Sequence, residues 1–211
     1  MTKPDKYAHL SEEERNRRHN EKMAKKKVAR DKILATKTIE KGLIIVHTGK
    51  GKGKSTAAFG MVFRMLGHGE KVAIVQFVKG KWETGERVIL DRFKDQAHVF
   101  TMGQGFTWET QDRQRDLEAA RAAWEKAKEC INDPQYKMVL LDELNIVLRY
   151  DSLPLDEIIE TLQNKPEDTH VIITGRNAKE EIIEIADLVT EMTMIKHPFR
   201  SGVKAQSGIE F

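Results

Sequence analysis

The chain holds 211 residues, 39% of them hydrophobic and 33% charged, a size that suits one domain with an extension. No apolar run exceeds four residues, which excludes a membrane-spanning helix of about 20 residues, and the N-terminus has neither the apolar core of a secretory signal nor the acid-poor composition of a transit peptide. A single cysteine, Cys130, excludes an internal disulfide and a multi-cysteine metal site and points to the cytoplasm.

The formal net charge of +3 averages two unlike parts. Residues 1–42 hold 13 Lys and Arg against 7 Asp and Glu, so the remaining 169 residues hold 23 against 26. From Ser11 to Thr36 the sequence consists of helix formers without a strong apolar face, Leu10, Met23, Val28, Ile33 and Leu34 being widely spaced. Two readings stay open for this basic extension, residues 1–41: a solvated arm with little order, or a helix that lies over an anionic ligand at the nucleotide site. Nucleic-acid binding is not expected, because Tyr7 is the segment's only aromatic on which a base could stack.

From residue 42 to 211 short β-branched runs predict strands at 43–48, 71–78, 97–102, 137–142, 169–174 and 188–195. Helical patterns lie between them near 55–67, 84–93, 110–131, 154–164 and 178–186. The first, fourth and fifth strands are nearly continuous apolar runs, as expected where both faces are covered. The last alternates (Leu188, Thr190, Met192, Met194), which places it near an edge. Strands interleaved with helices imply βαβ units, hence an α/β domain with a mostly parallel sheet of about six strands and helices on both faces. His47, inside the first strand, is expected to be a core histidine with its hydrogen bonds satisfied, and Cys130 a buried small hydrophobe.

Directly after the first strand comes Thr48-Gly49-Lys50-Gly51-Lys52-Gly53-Lys54-Ser55-Thr56, and then a helix. Strand, glycine-rich loop, Lys-Ser-Thr and helix form the context of a phosphate-binding P-loop. Backbone N–H groups would face phosphate oxygens, aided by the helix N-terminus. Lys54 would bridge phosphates and the Ser55 hydroxyl would reach Mg2+. The usual spacing puts glycine where Thr48 stands, so the loop is a variant. Lys50 and Lys52 add charge that suits a whole triphosphate. The fourth strand ends in Asp142-Glu143, the carboxylates that in P-loop proteins hold Mg2+ or its water shell. The fold expected is therefore a P-loop NTPase of RecA-like type. Between the third strand and the long helix, Phe106 and Trp108 lie two apart beside Gly103 and Gly105. They either face a large, flat apolar ligand or fold back into the core.

The stretches TGKGKGKSTAAFG at 48–60, VQFVKG at 75–80, GFTWET at 105–110, VLLDEL at 139–144, VIITGR at 171–176 and GVKAQSGIEF at 202–211 carry a likeness. In this order the chain resembles the P-loop family of ATP:cob(I)alamin (corrinoid) adenosyltransferases, whose loop pattern also accounts for the unusual glycine spacing. The resemblance implies that Co(I) of a reduced corrinoid attacks C5′ of ATP and tripolyphosphate leaves. It gives Lys54 and Glu143 catalytic roles, with Glu143 a Mg2+ ligand beside Ser55 and Asp142 and not an activator of water. It assigns ATP to Gly49, Lys50, Gly51, Lys52, Gly53, Lys54, Ser55 and Thr56, with Arg64 and Arg176 near phosphates or ribose. It sets Phe106 and Trp108 against the lower face of the corrin. It further implies a homodimer and an electron-donor protein of flavodoxin type. The rival reading, from another class, is a P-loop ATPase or regulatory nucleotide-binding module that engages a partner through its basic tail.

Overall fold

The computed structural model describes residues 10–78, 84–102 and 113–210, and the chain divides into two compact units, 1–40 and 41–211. In the first unit a single helix, α1 (Glu12–Leu34), is described. Ser11 caps it, its Oγ accepting the Glu14 N–H at 3.2 Å, and Glu12, Glu13 and Glu14 sit at the positive end of the helix dipole. None of its residues is buried, the outcome expected of a helix without an apolar face.

The second unit is built on six strands: β1 (Ile44–Thr48), β2 (Val72–Gln76), β3 (Ala97–Thr101), β4 (Met138–Asp142), β5 (His170–Thr174) and β6 (Leu188–Glu191). Their order is β3-β2-β4-β5-β1-β6, and every pairing is parallel. Between them run α2 (Lys54–Gly67), α3 (Gly85–Leu90), α4 (Arg113–Asn132), α5 (Leu144–Arg149), α6 (Leu155–Gln163) and α7 (Glu180–Ile185). This is the α/β P-loop architecture expected of the sequence. One strand, β5, separates the loop-bearing β1 from the carboxylate-bearing β4. None of the described helices is long and apolar enough to cross a membrane.

Period-two alternation divides the strands between two cores. Val46, Val75, Leu141 and Ile173 pack on one face with Trp124 and Ile131 of α4, Leu148 of α5, Ile158 of α6 and Ile182 of α7. Ile45, Ile74, Leu140 and Ile172 pack on the other with Phe59 and Val62 of α2 and with Leu90 of α3. Two covered faces explain the continuous apolar runs, since all five residues of both β1 and β4 are buried. All four residues of β6 are exposed, in keeping with its place at the sheet edge.

Three details depart from the sequence reading. The six-residue α5 was not foreseen. It is too short to show helical periodicity, and it begins immediately after the strand-terminal carboxylates. β6 stops at Glu191 and does not run on to residue 195, because the chain beyond it turns onto the glycine loop. His47 is buried, 6% exposed, yet neither ring nitrogen has a hydrogen-bond partner among the described residues. Alternation puts its ring on the Ile45 face, where the neighbouring core is apolar, and that burial lowers its pKa.

Candidate active site

The glycine loop is shaped by the chain leaving β6. The Met192 N–H donates to the Thr48 carbonyl at 2.8 Å, and the Gly51 N–H donates to the Met192 carbonyl at 2.6 Å. A Cβ on Gly49 would lie 2.5 Å from the Met192 oxygen, and one on Gly51 would lie 2.7 Å from the Met192 and Thr193 oxygens. Gly49 also has φ +97°, a conformation costly for other residues. Glycine is thus required at 49 and 51 by close backbone approach. The threonine that breaks the usual spacing has its own work: Thr48 Oγ1 accepts the Ala178 N–H at 3.1 Å, a contact glycine could not make.

Gly53, at φ +107°, opens α2 and gives it no side-chain cap. The first-turn N–H groups therefore remain available to an anion. Lys54 is buried and its Nζ donates to the Gly51 carbonyl at 2.6 Å. Burial lowers its pKa, against the pull of Glu143, with Arg176 and Lys52 lowering it further. Lys50 and Lys52 are exposed beside it, and the Lys52 ammonium pairs with the Glu210 carboxylate from the C-terminal segment.

The parallel register brings the ends of β4 and β5 alongside this loop. Ser55 Oγ donates to Asp142 Oδ1 at 2.9 Å. Thr174 Oγ1 donates to the same oxygen at 2.8 Å and accepts the Glu143 N–H at 2.8 Å. Asp142 is buried, which raises its pKa in spite of these bonds. Glu143 takes a left-handed conformation, φ 63°. Burial, then the Asp142 charge, push its pKa up to about 7 against Lys54 and Arg176. Its Oε2 and the Oδ1 of the fully buried Asn145 have no hydrogen-bond partner among the described residues. Asn145 Nδ2 donates to the Gly175 carbonyl at 3.3 Å. Gly175 has φ +127°, and a Cβ there would meet Asn145 Cβ at 2.8 Å.

An orphaned carboxylate oxygen beside a serine hydroxyl and a second carboxylate is a hard-oxygen donor set that fits Mg2+. Among the described residues no group of three or more His, Cys, Asp or Glu could cage a metal.

Of the residues singled out in the sequence, the structure gathers Gly49 to Ser55, Asp142 and Glu143 at the C-terminal edge of the sheet, where open α/β sheets bind ligands. Arg176, exposed just past β5, is close enough to bias Lys54 and Glu143. Thr56 is exposed in the first turn of α2. Arg64 is not brought to the loop: it is exposed in the last turn of α2, ten residues beyond Lys54 and so about 15 Å along the axis. Phe106 and Trp108 lie outside the described residues. Thr174, Gly175, Asn145 and Glu210 were not singled out. Thr174 and Gly175 sit in the VIITGR stretch, where a polar residue and a glycine ending an apolar strand were the available signal.

The family profile described as ATP:corrinoid adenosyltransferase BtuR/CobO/CobP matches residues 40–211, and one described as Cob(I)alamin adenosyltransferase N terminal matches residues 11–34. A corrinoid adenosyltransferase of Sinorhizobium sp is 63% identical over 196 residues, covering 92% of each chain. One from Pseudomonas aeruginosa is 50% identical over 198 residues, covering 94% of this chain and 98% of that one. A third, from Escherichia coli K12, is 46% identical over 194 residues, covering 92% and 98%. With a phosphate loop, a carboxylate pair and matches of this extent, the chain belongs to the ATP:corrinoid adenosyltransferase family.

Proposed function

We propose that this protein transfers the 5′-deoxyadenosyl group of ATP to the Co(I) centre of a reduced corrinoid and releases tripolyphosphate. The observation that carries the mechanism is the loop itself, with three lysines and an uncapped helix N-terminus set beside Asp142 and Glu143. The cobalt electron pair attacks C5′, a Co–C bond forms, and the C5′–O bond breaks with its electrons passing to the triphosphate oxygen. Cobalt is formally oxidised from Co(I) to Co(III), and no proton moves. Glu143 is then not needed as a base.

What the protein must stabilise is charge accumulating on the leaving triphosphate. Lys50, Lys52, Lys54 and the first-turn N–H groups of α2 serve that purpose. Mg2+ held by Ser55, Asp142 and Glu143 would supply further charge neutralisation on the phosphate oxygens. To admit the triphosphate, Lys52 gives up its pairing with Glu210. Arg176 faces phosphate or ribose, and the ATP role of Arg64, at the far end of α2, rests on likeness to the family alone. Phe106 and Trp108 press on the lower face of the corrin and exclude an axial ligand, which eases reduction of Co(II). By likeness to the family, the reading includes a cytoplasmic homodimer served by a flavodoxin-like electron donor.

Incubation with ATP, Mg2+ and a chemically reduced corrinoid should give a light-sensitive alkylcorrinoid and intact tripolyphosphate. Orthophosphate released without corrinoid, and no alkylcorrinoid, would overturn the reading in favour of an ATPase. The Trp108→Ala variant should lose more activity with Co(II) corrinoid and a protein reductant than with pre-formed Co(I). Equal losses would mean that the ring serves folding or general binding.

A further inference from the structure

We infer that Thr174 is a positioning residue of this site: its hydroxyl fixes in place the Asp142 oxygen to which Ser55 donates, and so holds the free lone pairs of Ser55 ready for the nucleotide's metal ion. The inference rests on the reading that Ser55, Asp142 and Glu143 hold Mg2+. Thr174 is the last residue of β5 and is fully buried. The β4–β5 register, with Leu141 opposite Ile173, puts it beside Asp142.

The hydrogen bonds start from a donor that cannot reverse. The Glu143 backbone N–H takes one lone pair of Thr174 Oγ1 at 2.8 Å. A hydroxyl carries a single proton, and that of Thr174 goes to Asp142 Oδ1 at 2.8 Å. A carboxylate oxygen offers lone pairs alone, so Ser55, 2.9 Å from the same Oδ1, donates its own proton there as well. Both Ser55 lone pairs are thereby left for a cation. The same Glu143 N–H belongs to the residue at φ 63°, so one hydroxyl also braces the backbone turn that aims the second carboxylate. Partners one step behind metal ligands commonly govern affinity in this manner.

Thr174→Val keeps the shape and removes both bonds; Thr174→Ser keeps both. Affinity for Mn2+·ATP, followed by the Mn2+ electron paramagnetic resonance signal, is compared with affinity for ATP in the presence of a chelator. Corrinoid is omitted, so no turnover intervenes. The valine variant should bind Mn2+·ATP about 10–100-fold more weakly, with metal-free ATP affected far less and the serine variant within about fivefold of the parent. Unchanged Mn2+·ATP affinity in the valine variant would overturn the inference, as would equal weakening of metal-bound and metal-free ATP. If the valine variant does not fold, the serine variant decides: a loss beyond about fivefold overturns it and a smaller one upholds it. A parent protein that binds Mn2+·ATP no more tightly than metal-free ATP would instead overturn the underlying assignment of the metal site.

Discussion

Lys54 combines burial with a positive charge and pays for it through a lowered pKa. Its carbonyl contact within the loop is a modest return for a desolvated ammonium. Lys54→Ala should therefore lower kcat by about 10²–10³-fold, the loss usual for one transition-state charge contact, while leaving the thermal midpoint nearly unchanged. Turnover at the parent rate would remove the loop from the mechanism. How far individual residues can be read from sequence is clear at this scale. Lys54, Ser55, Asp142 and Glu143 follow from local patterns, a loop after a strand and acids at a strand end. Thr174 and Asn145 do not, because their roles depend on the β4–β5 register and on which strand neighbours which. Arg64 was assigned by likeness, although helical rise alone already carries it about 15 Å from Lys54. The lack of a partner for the His47 ring among the described residues was hidden for a related reason: strand position fixed its burial, whereas its hydrogen bonding depends on what packs across the sheet.

Between elements, charged contacts join α4 to α6. Glu157 of α6 accepts from Arg121 Nη1 at 2.6 Å, Trp124 Nε1 at 3.0 Å and Lys128 Nζ at 2.8 Å, all on α4. The Lys128 and Arg121 bonds hold the Glu157 pKa down at about 2. A depressed carboxylate pKa contributes stability that is complete above the ordinary value near 4.5 and is lost as pH falls through about 2. Glu157→Gln should thus cost about 1–2 kcal/mol at neutral pH, since the site is partly exposed. Denaturant titrations should show that gap closing between pH 4.5 and 2; a gap independent of pH would mean that the glutamate acts through packing. The strands were all legible as elements because short β-branched runs mark them locally, continuous in some and alternating in β6. The six-residue α5 was not, as fewer than two turns cannot display a helical period.

Over the whole molecule, one thiol reports on one core. Cys130 of α4 is 3% exposed, packs with Trp124 and Ile131, and has its pKa raised to about 11 by burial. Thiol reagents should modify it far more slowly than free cysteine in the native state, and at a rate that rises with denaturant as the domain opens. Modification at the free-cysteine rate in native buffer would show that α4 detaches without global unfolding. Parallel pairing explains why the chemistry gathers where it does, since every strand delivers its C-terminal residue to the same rim. The rim is not uniformly anchored, however. The backbone that moulds the glycine loop leaves β6, the strand whose four residues are all exposed, and reaches the loop through Met192 and Thr193. The proposed grip on triphosphate is thus moulded from outside by a peripheral ribbon, and loosening of that ribbon should blunt catalysis while the buried strands behind it still stand intact.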